Sequence, residues 1–375
     1  MNAWIFQDTR QKKKLGEDKC PWSVGWYDPE DNRRSKRIGS KSMATKFMRK
    51  VEGELAAGTY QTHSRKPWLE FRVEYEAKIL SGMDRGTREA TLQAMTHFER
   101  LVKPKQVPAV RSQTIDDFVA KRRVERGRKR GSTVSPATIN KELRHLKAVL
   151  GIAHDWGYLP GKPKVRMVKE PVKLVIYVTP DHFADIYRAC DVARMPHSLP
   201  FPAADWWRAF MTFSYMTGWR VGEPLSLRRE DIDLDNAVAI TRHGDNKGNR
   251  DERVPLHEVV VDHLRSIQCF EPVVFPWYHA RRTLYSEFLR IQQEAGIKLP
   301  CREEHEHTPY CYAYGFHDLR RAFATANAET LSAGELQALM RHKSYTTTQR
   351  YINMASSIRR TAEKLHVPAI LTKTS

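Results

Sequence analysis

A segment rich in proline and lysine divides the chain and limits the folds that it can adopt. Between Gly157 and Pro171 stand two further prolines, Pro160 and Pro163, and several lysines. Proline lacks a backbone N–H and fixes φ, so such a stretch suits neither a helix nor a sheet interior. We therefore predict an interdomain linker here. The 375 residues suffice for two or three domains, each with its own core.

The N-terminal 62 residues predict a small β-then-α module. Trp22, Val24 and Trp26 occupy alternate positions, as on a strand with one buried face, and a turn and a second extended run over residues 33–38 follow. Phe47, Val51 and Leu55 are four apart, which predicts a helix over residues 42–57.

Residues 67–160 predict a mainly helical domain. The clearest helix runs from Ser135 to Trp156, with Ser135 as the N-cap and Pro136 at the first helical position. Its apolar stripe consists of Ile139, Leu143, Leu146, Leu150 and Ala153.

A run of basic residues ends an earlier helix, which we predict from Thr114 to Arg126. Lys and Arg number 63 in the chain against 44 Asp and Glu, a net charge of +19 that favours a polyanionic partner, either nucleic acid or an anionic membrane surface. We therefore predict that the run contacts phosphates, with a solvated charged loop as the alternative. The residues concerned are Lys121, Arg122, Arg123, Arg126, Arg128, Lys129 and Arg130.

Residues 173–375 form the largest unit, and their pattern predicts a mainly helical domain with a short antiparallel sheet. Strand-like runs lie at 237–241 and 253–256, and a helix is predicted from Gly315 to Asn327. The whole chain is thus expected to be multidomain and mainly α with small antiparallel β elements, an α+β fold. Apolar runs fall short of the roughly 18 residues of a membrane span, and five scattered cysteines fit a reducing compartment, so we expect a cytoplasmic protein.

Reactive side chains stand in order within this last unit. A predicted buried helix of apolar and aromatic residues, Trp206 to Tyr215, is broken at Gly218. Arg220 follows at a turn, where its guanidinium can face an anion. Glu223 lies one turn on and can orient Arg220, although a purely structural Arg–Glu pair is the alternative. Lys247 stands between two strand-like runs, which predicts a hairpin tip; taken alone it is an ordinary surface lysine.

Further along, His317 and Arg320 share one face of a predicted helix, His342 follows, and Tyr351 comes nine residues later. Two arginines can hold both non-bridging oxygens of a phosphate, a lysine can protonate a departing oxygen, and a tyrosine can form a covalent intermediate. These residue types suit attack on a phosphodiester. Because the arginines and the lysine supply positive charge, we expect no metal or other cofactor.

In this order the set resembles the tyrosine recombinase family, the phage-type integrases. The features that carry the resemblance are TGxRxxE at residues 217–223, a lysine hairpin, HxLR at residues 317–320, a later histidine and then the tyrosine. The resemblance implies that His317 and His342 assist at the phosphate and help to manage the tyrosine proton. It also implies that Glu223 supports the first arginine.

The same resemblance assigns the remaining roles. Arg220 and Arg320 would bind the scissile phosphate, and Lys247 would be the general acid for the 5′ oxygen. Tyr351 would form a 3′-phosphotyrosyl link that the 5′-hydroxyl of a second strand resolves. The energy of the bond is kept in that link, so ATP is not needed.

The resemblance extends over the whole chain. It implies an arm-type DNA-binding module at 1–62, a helical core-binding domain at 67–160 and a catalytic domain at 173–375. The implied partners are double-stranded DNA attachment sites, further copies of the chain in a tetramer on DNA, and accessory DNA-bending proteins, without a membrane; the implied location is the nucleoid. The arm-module residues that we expect to contact DNA are Arg33, Arg34, Lys36 and Arg37.

We therefore expect an integrase or excisionase. A type IB topoisomerase-like enzyme would use the same chemistry, but it has no need of an arm module. A catalytically inactive DNA-binding regulator fits poorly with a full catalytic set. A metal-dependent nuclease would be inhibited by a chelator, which the recombinase would not be.

A group of potential metal ligands precedes the predicted catalytic helix: Cys301, His305, His307 and Cys311. Zinc prefers these residue types. The C-x₃-H-x-H-x₃-C spacing is not that of a familiar zinc finger, and flanking prolines indicate a loop. We expect either a loop with incidental residues or a structural metal that braces it, and no catalytic metal.

Overall fold

The computed structural model divides the chain into two compact units, residues 1–171 and 172–375. The residues that it describes are 3–58, 60, 65–171, 175–244, 250–301, 303–342 and 344–356; for 350 and 352–356 the description is limited to the backbone. Lys247, the predicted general acid, lies outside the described residues.

The N-terminal part of the first unit is an antiparallel sheet covered by a long helix. Its elements are β1 (Ala3–Gln7), α1 (Thr9–Leu15), β2 (Trp22–Tyr27), β3 (Arg33–Gly39) and α2 (Lys41–Ala56). β2 is the central strand and pairs with β1 and β3. Val24 and Trp26 pack against Ala44 and Val51 of α2, so the predicted alternation does mark a buried face. The sequence pattern did not predict β1 or α1, because β1 is a short edge strand that is mostly half-buried.

The rest of the first unit is built from helices: α3 (Trp68–Lys78), α4 (Arg85–Val102), α5 (Ser112–Arg123) and α6 (Pro136–Asp155). α6 starts as predicted, because the Ser135 hydroxyl accepts a hydrogen bond from the Thr138 backbone N–H. The predicted apolar stripe of α6 is buried in the core of this part. α5 ends at Arg123, earlier than expected, because the chain then turns back and Arg126 pairs with Thr133.

The predicted linker, residues 157–171, contains no helix or strand, in keeping with its prolines. It is nevertheless attached to the helical part of the first unit. The Asn140 side chain donates to the Val168 carbonyl at 2.8 Å and accepts from the Val168 N–H at 2.7 Å. The division between the two units therefore falls at the end of this segment.

Helices predominate in the described part of the second unit. The helices are α7 (Pro180–Arg188), α8 (Ala203–Thr217), α9 (Gly222–Ser226), α10 (Glu258–Ser266), α11 (Arg281–Glu294), α12 (Phe316–Asn327), α13 (Ala333–Met340) and α14 (Tyr345–Ser356). The strands are β4 (Ile232–Asp233), β5 (Val238–Thr241) and β6 (Glu252–Pro255), which form an antiparallel sheet in the order β4-β5-β6. β5 and β6 pair on either side of residues 245–249, as the hairpin prediction requires.

The core of the second unit is built around α8. Trp206, Trp207 and Phe210 are fully buried, as expected for a core helix. Phe316, at the start of α12, stacks with Phe288 of α11 at a ring distance of 4.5 Å, which fixes α12 against this core. A smaller cluster lies between α12, α13 and α14.

None of the described helices combines the length and the apolar character that crossing a bilayer requires.

Candidate active site

The site begins where α8 ends, at Gly218. Gly218 has φ +63°, and a Cβ at this position would lie 2.5 Å from Cδ1 of Phe323. A side chain is therefore excluded by both conformation and space. The turn at this glycine leads directly to Arg220.

Arg220 is held by Glu223, as predicted. The Arg220 backbone N–H donates to Oε2 of Glu223 at 2.8 Å, and Nη1 donates to Oε1 at 3.0 Å. The Glu223 side chain is 5% exposed, whereas that of Arg220 is 30% exposed. A buried carboxylate thus orients a guanidinium that solvent, and hence a ligand, can reach.

Arg341 also binds Glu223, and sequence reasoning did not identify this arginine. Nη2 of Arg341 donates to Oε2 of Glu223, and the guanidinium lies 4.5 Å from the ring centroid of Trp219. Arg341 is buried and has φ +52° at the end of α13. A left-handed arginine is rare, so local sequence gives no reason to expect it. The available signal was its position directly before His342.

Arg320 lies deeper than Arg220. It is 1% exposed; Nη1 donates to the Gly218 carbonyl at 2.6 Å, and Nη2 donates to the Met340 carbonyl. Burial, followed by the charge of Arg220, lowers the pKa of Arg320 to about 9, although Glu223 acts in the opposite direction. Burial and the neighbouring Arg220 thus disfavour the positive charge of this guanidinium, and a bound anion would stabilise that charge.

The two predicted histidines are kept neutral by the same surroundings. Burial, then Arg320 and Arg220, lowers the pKa of His342 to about 4. Partial desolvation, then Arg321 and Arg320, also lowers the pKa of His317, although its side chain is exposed. Nδ1 of His342 lies 2.9 Å from Oγ1 of the buried Thr348, which fixes its ring. A neutral imidazole keeps a free lone pair on one ring nitrogen, so it can accept a hydrogen bond or a proton from a neighbouring group.

Tyr351 completes the group. It is 9% exposed and packs in the small cluster with Phe323 and Met340. Its ring stacks on His342, with centroids 6.0 Å apart and planes at 14°. Its phenol also acts electrostatically on Arg320, so the predicted nucleophile lies near the arginines that we expect to bind an anion.

The structure thus brings five of the six predicted catalytic side chains together: Arg220, His317, Arg320, His342 and Tyr351. What the arrangement offers chemically is two arginines for an anion, neutral histidines for protons and a phenol for attack. The position of Lys247 stays a prediction.

The basic run of the first unit is exposed except at one residue: Lys121, Arg123, Arg126, Arg128, Lys129 and Arg130 are exposed. Arg122 corrects our expectation, because its guanidinium is buried inside the helical part, where Nη2 lies 2.8 Å from Glu142 and Nη1 lies 2.8 Å from Glu125. It serves an internal ion pair and does not face a ligand.

The other predicted DNA-contacting residues, Arg33, Arg34, Lys36 and Arg37, are exposed on β3. Arg34 also pairs with Asp28 at 2.8 Å. The four potential metal ligands ahead of α12 lie together, with their donor atoms all within 4.8 Å of one another.

Comparisons with known proteins point to one family. Residues 177–357 match the model of the phage integrase family. Tyrosine recombinase XerA of Thermococcus kodakarensis is 26% identical over 181 residues, which cover 42% of this chain and 54% of that protein. Tyrosine recombinase XerC of Lactobacillus leichmannii is 23% identical over 245 residues, 64% of this chain and 79% of that protein.

Among solved structures, this chain is similar to lambda integrase. A lambda integrase dimer bound to a COC′ core site has a TM-score of 0.59 and 16% identity, and the match covers 97% of each chain. A lambda integrase tetramer bound to a Holliday junction has a TM-score of 0.58, also with 16% identity, and the match covers 95% of this chain and 96% of that one. At this level of identity the likeness concerns the fold.

Proposed function

We propose, from the match of residues 177–357 to the phage integrase family model, that this chain is a member of that family and a site-specific DNA recombinase, an integrase or excisionase. The observation that carries the proposal is that Arg220, Arg320 and Arg341 gather around the single carboxylate of Glu223, beside Tyr351. An accessible Arg220 and a buried Arg320 form a site for an anion, and Tyr351 lies beside it. A phosphodiester is the anion that tyrosine can attack there.

In the proposed reaction, the guanidiniums of Arg220 and Arg320 bind the non-bridging oxygens of the scissile phosphate. The phenolic oxygen of Tyr351 attacks phosphorus and gives up its proton, for which the neutral His342 and His317 are the nearby acceptors. The 5′ oxygen leaves and takes a proton, which we assign to Lys247. The products are a 3′-phosphotyrosyl ester and a 5′-hydroxyl.

Rejoining reverses these steps. The 5′-hydroxyl of a second strand attacks the ester, a new phosphodiester forms, and Tyr351 regains its proton. One phosphoester bond is made for each one broken, so the reaction needs no ATP, and in this proposal the arginines and Lys247 supply the positive charge that a catalytic metal would otherwise provide.

We assign DNA binding to the whole chain. Exposed basic residues on β3 and after α5 supply phosphate contacts for an arm-type module and a core-binding domain. The solved lambda integrase structures, a dimer bound to a COC′ core site and a tetramer bound to a Holliday junction, support double-stranded attachment sites and a tetramer as this chain's partners. The cytoplasm, at the nucleoid, is the corresponding location.

The decisive experiment is covalent trapping. The protein is incubated with a nicked suicide duplex that carries its attachment site, and protein–DNA adducts are separated under denaturing conditions. We expect an adduct with the wild-type chain and none with Tyr351→Phe. Tyr345→Phe is the matched control, because Tyr345 begins the same helix but is 47% exposed; it should form the adduct normally. An adduct with Tyr351→Phe would refute the assignment.

A further inference from the structure

We propose that the loop between α11 and α12 holds a structural zinc ion, bound by Cys301, His305, His307 and Cys311. The site is separate from the proposed strand-exchange chemistry and does not depend on it. Two sulfurs and two imidazoles form a donor set of the kind that zinc takes in closed, four-coordinate sites.

The donor atoms are already close to the geometry that zinc requires. All four lie within 4.8 Å of one another. Nε2 of His305 is 3.2 Å from Sγ of Cys311 and 4.0 Å from Sγ of Cys301. Zinc bonds of 2.0–2.3 Å in a tetrahedron place ligand atoms about 3.3–3.8 Å apart. Binding therefore needs side-chain movements of about 1 Å or less.

The backbone of the loop holds the ligands in place. The Leu299 N–H donates to the Tyr312 carbonyl at 2.8 Å, which joins the two ends of the loop beside Cys301 and Cys311. A short 3-10 turn over Pro309–Tyr312 then presents Cys311 inward. Backbone hydrogen bonds thus hold ligands that are ten residues apart in sequence as neighbours.

Surrounding groups match what zinc ligands need. The His305 side chain is 1% exposed, and its Nδ1 lies 3.8 Å from a carboxylate oxygen of Glu303 while Nε2 faces the two sulfurs. A carboxylate on the far ring nitrogen is the usual partner of a metal-binding histidine. The Thr308 N–H and hydroxyl lie 3.5 Å and 3.6 Å from Sγ of Cys311, where they would stabilise a thiolate.

The charges also balance. Two thiolates and two neutral imidazoles around Zn²⁺ give a site with no net charge, which a partly buried loop can accommodate. A hard cation such as Mg²⁺ prefers oxygen ligands and is not favoured by this set.

The position of the loop gives the ion a role. Just after the loop, the backbone N–H and carbonyl of Tyr314 are both bonded by the Gln292 side chain, at 2.7 Å and 3.1 Å. α12, which carries His317 and Arg320, starts two residues later. A metal that closes the loop would fix the start of α12 and so position Arg320.

The test is the metal content of the full-length protein, purified without chelators and measured by elemental mass spectrometry. We expect about one zinc per chain in the wild type, and a large loss in Cys301→Ser and His305→Ala. Cys269→Ser is the matched control, since Cys269 is also partly exposed but lies outside the group; it should keep its zinc. Replacement by Co²⁺ should give the visible absorption bands of tetrahedral thiolate coordination.

Chelation provides a readout on the unaltered chain. We expect a zinc chelator to lower the midpoint of thermal unfolding by roughly 5–10 °C, and added zinc to restore it. Zinc-free wild-type protein that gives no cobalt spectrum would overturn the proposal even where the variants fail to fold, as would a disulfide between Cys301 and Cys311. Tyr351→Phe should carry the same zinc, so this result is independent of the recombinase assignment.

Discussion

At the scale of single residues, the carboxylate of Glu223 connects two arginines from opposite ends of the second unit's sequence. It accepts hydrogen bonds from Arg220 and from Arg341, 118 residues away. Arg341 therefore acts as a positioning residue, since it touches Glu223 and does so from a buried position over Trp219. The orientation of Arg220 therefore depends, through Glu223, on Arg341, which the sequence pattern did not identify.

Glu223→Gln should weaken both the fold and the site. The change removes the negative charge between two arginines, so we expect the free energy of unfolding to fall by about 3 kcal/mol. Strand cleavage should fall by about tenfold or more, because Arg220 loses its fixed geometry. Urea unfolding and adduct formation measure the two effects. Glu294→Gln, at the exposed end of α11, is the control and should change stability by less than about 0.5 kcal/mol.

His342 should titrate far below an ordinary histidine. Its pKa is about 4 in the folded chain, against 6.5 for a free side chain. Between pH 4 and 6.5 this histidine is protonated in the unfolded chain but not in the folded one. Its contribution to the free energy of unfolding is therefore fully present above about pH 6.5 and is lost as the pH falls towards 4. NMR titration of the His342 ring, identified by its loss in His342→Gln, measures the midpoint. A midpoint above 6 would contradict the buried, arginine-flanked environment.

At the scale of helices, a buried ion pair joins α5 and α6, and its arginine belongs to the basic run at the end of α5. The Arg122 and Glu142 side chains are 10% and 7% exposed. Arg123, its neighbour in sequence, points outward. One helical step thus separates an arginine that holds the domain together from one that is available to a ligand.

Replacing these two arginines should give opposite results. Arg122→Ala leaves Glu142 buried without its main partner, so we expect a loss of about 3 kcal/mol in stability. Arg123→Ala should leave stability within about 0.5 kcal/mol but weaken DNA binding and reduce its dependence on salt. Thermal unfolding and fluorescence anisotropy with labelled DNA distinguish the two. If both variants behaved alike, the division between inner and outer arginines would be wrong.

At the scale of the whole molecule, the dominant feature is the net positive charge. A net charge of +19 over 375 residues, with exposed basic residues in both parts of the first unit, predicts binding that is driven by release of counterions. We expect the affinity for duplex DNA to fall by about 10³-fold or more between 50 and 200 mM salt. Anisotropy titrations across this range measure the slope. An affinity that hardly changes would mean that few phosphates are contacted.

Much of this molecule could be predicted from sequence where the cause is local. The capping serine and apolar stripe of α6 and the break at Gly218 depend on near neighbours, and the predicted catalytic side chains could be identified from their order in the sequence. The missed features depend on distant ones. Arg122 is buried against Glu142, which lies twenty residues later in the sequence. Arg341 contacts Glu223, which lies 118 residues earlier. β1 becomes a strand only by pairing with β2.

The burial of Tyr351 has a consequence for fidelity. Tyr351 is 9% exposed and packs among apolar side chains, which leaves little room for water beside its ring. An ester formed on it would be shielded from hydrolysis, whereas a DNA hydroxyl delivered by base pairing could still reach it. Water is far more abundant than any strand end, so this shielding decides whether a cut strand is passed on or left as a permanent break. In the proposed reaction, the hydrophobic contacts of one tyrosine would thereby protect the DNA against permanent breaks.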